Sequence, residues 1–214
     1  MTVRRDELTG ISMIVTVASY KGGVGKTTTA LHIAGCLQKR APTLLIDGDV
    51  IRAATMWRRR GSGFSFEVED GAQAVKAAHR FKGGHIVIDT EANPSHLDFE
   101  TVVESCDLLI IPAVPEQTAT DGLIYTLEKL KKFDGTRYRV LITKVPPKPQ
   151  TEGDKLRELL NEAKIPVFDA AIPRLKAFDT ASAKGLLVCD VNERAALRGW
   201  EAYENVGKEI FSGK

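Results

Sequence analysis

Between Val15 and Ala30 the chain reads V-T-V-A-S-Y-K-G-G-V-G-K-T-T-T-A. An apolar β-type run enters a loop holding Gly22, Gly23 and Gly25, and that loop opens directly into a helix at Lys26-Thr27-Thr28-Thr29-Ala30. A strand followed at once by a glycine turn and a helix is the opening of an α/β unit, and few other folds accept it. The glycines lack a Cβ, so the loop backbone from Gly22 through Val24 to Gly25 can turn its N–H groups toward an anion. The helix adds its positive N-terminal end at Thr27 and Thr28. Lys26 is placed to reach the β/γ-phosphates of a nucleotide, and the Thr27 hydroxyl to ligate Mg²⁺.

The rest of the chain agrees with this opening. Apolar β-type runs recur at Ile11–Ala18, Thr43–Ile46, His85–Ile88, Leu108–Pro112 and Arg139–Thr143, with weaker ones at Phe64–Val68 and Pro166–Ile172. Helical stretches fall between them, near Thr27–Lys39, Gly71–Phe81, Leu97–Ser105, Thr118–Phe133 and Glu152–Ala163, and a last one covers Val191–Phe211. Runs apolar on both faces and separated by helices imply a mostly parallel twisted sheet flanked by helices on both faces. Ligands of such sheets sit outside the carboxyl ends of the strands, where the glycine loop falls. Two more strand ends carry acids there: Leu44-Leu45-Ile46 runs into Asp47-Gly48-Asp49, and His85-Ile86-Val87-Ile88 into Asp89. Asp89 is the expected Mg²⁺ carboxylate, since hard cations take oxygen ligands.

With 214 residues the chain can bury a substantial core, and no stretch reads as a linker, so one domain over 1–214 is expected, with 1–10 a polar extension. A net charge of +2 is too mild to indicate nucleic-acid binding by itself. Cys36, Cys106 and Cys189 are isolated, which suggests neither a zinc site nor a disulfide framework, and fits a reducing cytoplasm. No signal peptide, lipidation motif or membrane span is evident.

The loop departs from the general G-x-x-x-x-G-K-[ST] pattern, with Tyr20 where that pattern has glycine and Lys21 as a second lysine. Lys-Gly-Gly-Val-Gly-Lys-Thr-Thr resembles the deviant Walker A motif of the ParA/MinD family of P-loop ATPases. The resemblance extends from about Ile14 to Ile210 through Asp107–Pro115, Leu141–Lys144 and Ala171–Arg174. It implies ATP and Mg²⁺ as ligands and a homodimer formed with ATP, in which Lys21 reaches the partner's phosphates. It implies that Asp49 orients or activates the attacking water, that Asp47 supports Mg²⁺, and that Lys144 and Pro173 lie near the base. Asn93 and Pro94 suggest a turn sensing the γ-phosphate. Val50-Ile51 stands where the family often has Pro-Gln.

Within that family the chain is most similar to the short, ParF-like partition ATPases, because its first strand begins almost at once. Such proteins bind DNA without sequence preference as ATP dimers and are released when a small ParB-like, centromere-binding partner stimulates hydrolysis. Arg58, Arg59, Arg60, Arg174, Lys176 and Lys184 are the candidate DNA contacts, and the expected location is cytoplasmic and nucleoid-associated. Two alternatives stand beside this: a MinD-like positioning ATPase on a membrane or other scaffold, and a metal-cluster or electron-transfer ATPase. The first needs a basic amphipathic C-terminal helix. Val191–Phe211 is amphipathic, but its polar side mixes Glu193, Glu201, Glu204 and Glu209 with Arg194, Arg198 and Lys208, so docking on its own domain is expected. The second needs paired cysteines.

Overall fold

The computed structural model describes residues 10–81, 83–91, 96–130 and 137–212. Six strands, β1 (Ile11–Val17), β2 (Thr43–Gly48), β3 (Glu67–Asp70), β4 (Gly84–Thr90), β5 (Leu108–Ala113) and β6 (Tyr138–Ile142), form one sheet in the order β3-β2-β4-β1-β5-β6. Every pairing is parallel. The helices are α1 (Lys26–Gln38), α2 (Ala53–Arg59), α3 (Ala74–Arg80), α4 (His96–Ser105), α5 (Gln117–Leu130), α6 (Glu152–Glu162), α7 (Lys176–Lys184) and α8 (Arg194–Ser212).

Side chains alternate across a strand, so a strand apolar at every position feeds two cores. Val15, Val17, Leu45, Val87, Ile110 and Leu141 point to one face, where they meet α1, α2, α7 and α8. Leu109, Ile111, Val140 and Ile142 point to the other, with Leu123 of α5 and Leu156 and Leu160 of α6. Ile14, Leu44, Ile46 and Ile86 extend that second face onto Ala77 and Ala78 of α3.

The helix following the glycine loop is buried almost all round, which is the mark of a helix enclosed by its own domain. Gly35 lets it approach Leu187 and Trp200, and Gly207 of α8 lies against Cys36. Cys36 is a buried free thiol, pushed up to about 12 chiefly by burial. The apolar stripe of α8 (Ala196, Trp200, Tyr203, Val206, Ile210) is inside the fold, as its mixed polar face suggested. Its Glu209 makes a largely buried ion pair with Arg139 at 2.7 Å.

Three local expectations are corrected. Pro166–Ile172 is not a strand: it meets β6 at its two ends, through a single bridge at Val167 and a bond from Ile172 N to Ile142 O, with no continuous ladder between. The prolines at its ends have no N–H to give, and the N–H groups of Asp169 and Ala170 go to the Glu209 carboxylate instead of β6. The weak strand expected over Phe64–Val68 starts later, at Glu67. The helix expected from Gly71 begins as a 3₁₀ turn (Gly71–Gln73) capped by Asp70, whose side chain accepts from Ala72 N. Two short helices, α2 and α7, join the expected set.

Candidate nucleotide-binding site

Because all strands run the same way, the carboxyl ends of β1, β2, β4 and β6 open on one rim and bring four loops together. The glycine loop is held open by backbone conformation. Gly23 (φ 77°) and Gly25 (φ 91°) are left-handed, and no heavy atom lies within 4 Å of a Cβ built on Gly22, Gly23 or Gly25. This leaves a cradle that side chains would fill and an anion can enter. The loop is also pinned from below. Thr143 Oγ1 donates to Val24 O at 2.8 Å, Lys144 Nζ donates to Gly23 O at 2.6 Å, and Val24 packs on Val114. Lys144 takes a left-handed φ of 52° to do so.

Lys26 is only 7% exposed, its ammonium 3.4 Å from the Lys21 carbonyl it donates to. Burial pushes its pKa down, and Asp89 and Asp49 work against that shift. Asp89 is wholly buried, and neither carboxylate oxygen has a hydrogen-bond partner among the described residues. Burial pushes it up to about 7, despite the opposing Thr27 hydroxyl and Lys26, with Asp47 and Asp49 adding to the rise. An orphaned acid beside a lysine and a threonine fits a divalent cation that takes one carboxylate and fills its other positions from water and phosphate. The residues therefore suit Mg²⁺, with Asp89 and Thr27 as its holders.

The neighbouring acid is wired differently. Asp47 lies level with Asp89 across the β2–β4 pair and is equally buried, yet its oxygens accept from Asp49 N at 3.3 Å and Thr55 N at 2.8 Å. It anchors α2, so the supporting metal role expected for it competes with two backbone donors. Asp49 lines the open cleft, and its Oδ1 accepts from Ile51 N at 2.9 Å. Arg52, left-handed at φ 57°, fastens this turn by donating to Asp47 O at 2.9 Å and pairing with Asp70 at 2.8 Å.

The cleft encloses about 980 Å³, and Lys26, Thr27, Asp49, Lys144, Pro173 and Lys176 are among its walls. Pro173 and Lys144 thus stand on the cleft as expected for base neighbours. Lys21 is not among its walls; its stem runs along α5, against Gly122. Asn93 and Pro94 lie outside the described residues. The six basic candidates divide. Arg58 donates to Val68 O, Arg60 to Ser182 O, and Arg174 pairs with Glu116 at 2.7 Å. Arg59, Lys176 and Lys184 are exposed, as are the other three, and differ from them in having no such bond among the described residues. Lys184 joins Arg60 where the two chain segments meet, since Gly61 and Gly185 touch backbone to backbone.

Sequence reading missed His32. It is fully buried, its Nδ1 donating to Thr28 O at 2.6 Å and its Nε2 accepting from Val188 N at 3.0 Å. The Tyr203 ring stacks on it at 4.8 Å, and burial holds its pKa down at about 4. A lone histidine inside an apolar helix was the available signal. Trp57, whose indole donates to Leu186 O, was equally silent.

Fold and cleft together define a nucleotide-binding α/β protein of the phosphate-loop class. The profile of the CobQ/CobB/MinD/ParA nucleotide binding domain matches residues 15–188, and the chain belongs to that family. It is 32% identical over 202 residues to "Maintenance of carboxysome distribution protein A" of Gloeobacter kilaueensis, covering 92% of this chain and 93% of that one. A plasmid partition protein of Borrelia burgdorferi B31, solved with AMPPNP, superposes with a TM-score of 0.75 at 20% identity, covering 94% and 99% of the two chains. The ATP complex of a Cyanothece McdA variant gives 0.68 at 18% identity, covering 92% and 98%. The chain is an ATPase of the ParA/MinD positioning family, with ATP as its nucleotide and Mg²⁺ the usual partner of such enzymes. Among the described residues no helix is long and apolar enough to cross a membrane.

Proposed function

We propose that this ATPase dimerises around ATP, binds DNA without sequence preference in that state, and lets go when a partner protein accelerates hydrolysis, so that a cargo is distributed along the nucleoid of the cytoplasm. The observation that carries the reading is the division of labour between two lysines four residues of loop apart. Lys26 is folded into its own cleft, whereas Lys21 lies outside that cleft on α5. A second lysine whose stem packs on α5, off the walls of its own cleft, suits service to the site of a second copy.

In this reading the loop amides of Gly22–Gly25 and the N-terminus of α1 cradle the phosphates, and Lys26 offsets their charge. Asp89 and Thr27 hold Mg²⁺, which when bound neutralises charge developing on the phosphates. Asp49 accepts a hydrogen bond from the attacking water and aligns it, while Lys144 and Pro173 flank the base. Asp47 holds α2, and with it the loop carrying Asp49, in place. Arg59, Lys176 and Lys184 are the candidate phosphate contacts to DNA, with Arg58, Arg60 and Arg174 released to join them only if their present bonds break. The same reading takes 1–214 as one domain.

The relative's name, carboxysome distribution, supports a protein-bodied cargo as readily as a plasmid, with a small adaptor on the cargo in place of a ParB-like partner. The test is binding to random-sequence duplex DNA with ATP, ADP or no nucleotide across a salt series. Strong, salt-steep binding with ATP alone supports the reading, since each phosphate contact adds to the slope. ATP-driven dimers that ignore DNA at every salt concentration would overturn it and favour the MinD-like alternative on another scaffold.

A further inference from the structure

Gly122 stands inside α5, where alanine or leucine would serve the helix better. Its backbone is approached by the Lys21 side chain: a Cβ built there would lie 2.8 Å from Lys21 Cβ, 3.4 Å from Cγ and 3.5 Å from Cδ. The clash is with the root of the lysine, which cannot swing aside without moving its backbone. One turn on, the buried Thr126 closes the same junction. Its hydroxyl donates to Gly122 O at 2.7 Å and accepts from Tyr20 N at 3.4 Å, and the Tyr125 ring meets Tyr20 edge-on at 4.9 Å. On the opposite side Ser19 Oγ accepts from Lys21 N at 3.2 Å. Tyr20 and Lys21 are thus held against α5, while Gly23 and Val24 are tied to the residues that follow β6.

We propose that Gly122 and Thr126 are positioning residues for Lys21, and that α5, not the phosphate loop, sets where this lysine reaches. The inference rests on the reading that Lys21 serves the phosphates of a second copy. Tight packing at its stem shortens the search that a long flexible ammonium would otherwise make. It also separates two functions on a single loop: binding of nucleotide by Lys26 and the glycines, and engagement of the partner by Lys21.

The experiment compares Lys21→Ala, Gly122→Ala, Thr126→Val, Thr126→Ser and the Lys21→Ala/Gly122→Ala double variant. Affinity for a fluorescent ATP analogue, ATP-dependent dimer mass and ATP turnover are measured on each full-length chain. Expected is nucleotide affinity of the monomer, read at protein concentrations too low for dimers, within about twofold of the parent throughout. Gly122→Ala and Thr126→Val should lose turnover and dimer by about tenfold or more, and Thr126→Ser should restore both, since it keeps the hydroxyl. The double variant should match Lys21→Ala alone. Should Gly122→Ala not fold, the Val and Ser pair at Thr126 decides the matter. If Lys21→Ala dimerises and turns over normally, the reading of Lys21 itself is wrong. If Lys21→Ala is inactive but Gly122→Ala and Thr126→Val behave as the parent, that reading stands and the positioning role is overturned.

Discussion

Asp47 and Asp89 end adjacent strands, lie in register and are equally hidden from water, yet only one of them is finished. Asp47 has two backbone donors; Asp89 has none among the described residues. A buried acid with partners stabilises the fold, whereas one without them destabilises it until a ligand arrives. The end of β2 is therefore built to hold the protein together, and the end of β4 to hold something else.

The largest effect should come from the unfinished acid. Asp89→Asn is expected to cut ATP turnover on the order of a thousand-fold, about 4 kcal/mol of barrier, while the melting temperature without nucleotide stays level or rises. A fall in melting temperature alongside intact turnover would reverse the roles assigned to the two acids.

His32 sharpens the comparison, because it too is buried and fully partnered. Its folded pKa of about 4 lies below the ordinary 6.5, so the unfolded chain takes up a proton first as acid is added. Its share of stability is complete above pH 6.5 and falls away toward pH 4, by about 3 kcal/mol. Urea titrations of the parent and His32→Gln should diverge in pH slope only within that window; parallel slopes would remove His32 as the cause.

Asp47→Ala should come next, costing about 2 kcal/mol by stranding Asp49 N and Thr55 N, read as a lower urea midpoint with unchanged slope. Activity lost with stability intact would make Asp47 resemble Asp89 after all. The smallest change is expected from Arg59→Ala, which should leave stability untouched and flatten the salt dependence of DNA binding by about one phosphate contact per protomer, a slope change of about 0.9 for each.

The two acids also mark what a sequence can disclose. Both follow an apolar run, so both were legible as acids at a sheet rim, as was the glycine loop, whose every chemical requirement sits within a dozen residues. Which acid would be satisfied was not legible, since Thr55 reaches Asp47 only after the chain has turned at Arg52 in a left-handed conformation. For the same reason α2 escaped notice: seven residues long, it borrows its N-terminal acceptor from eight positions upstream. The segment at Pro166–Ile172 looked like a strand because alternation cannot reveal that Glu209, far along the chain, takes its donors. Gly122 showed only as a weak point in its helix, because its neighbour Lys21 lies in a distant part of the sequence.

The enclosure of α1 decides which parts of this molecule can keep time with a nucleotide cycle. A helix walled in by the sheet and α8, and tied at Thr29 to Tyr203 and at His32 to Val188, gives up its amide protons only when the whole domain opens. The turn at Asp49–Arg52 stands in the opposite condition, with Val50 and Ile51 about three-quarters exposed at 75% and 74%. Deuterium should reach that turn before α1, which makes the phosphate helix the fixed frame of the cleft.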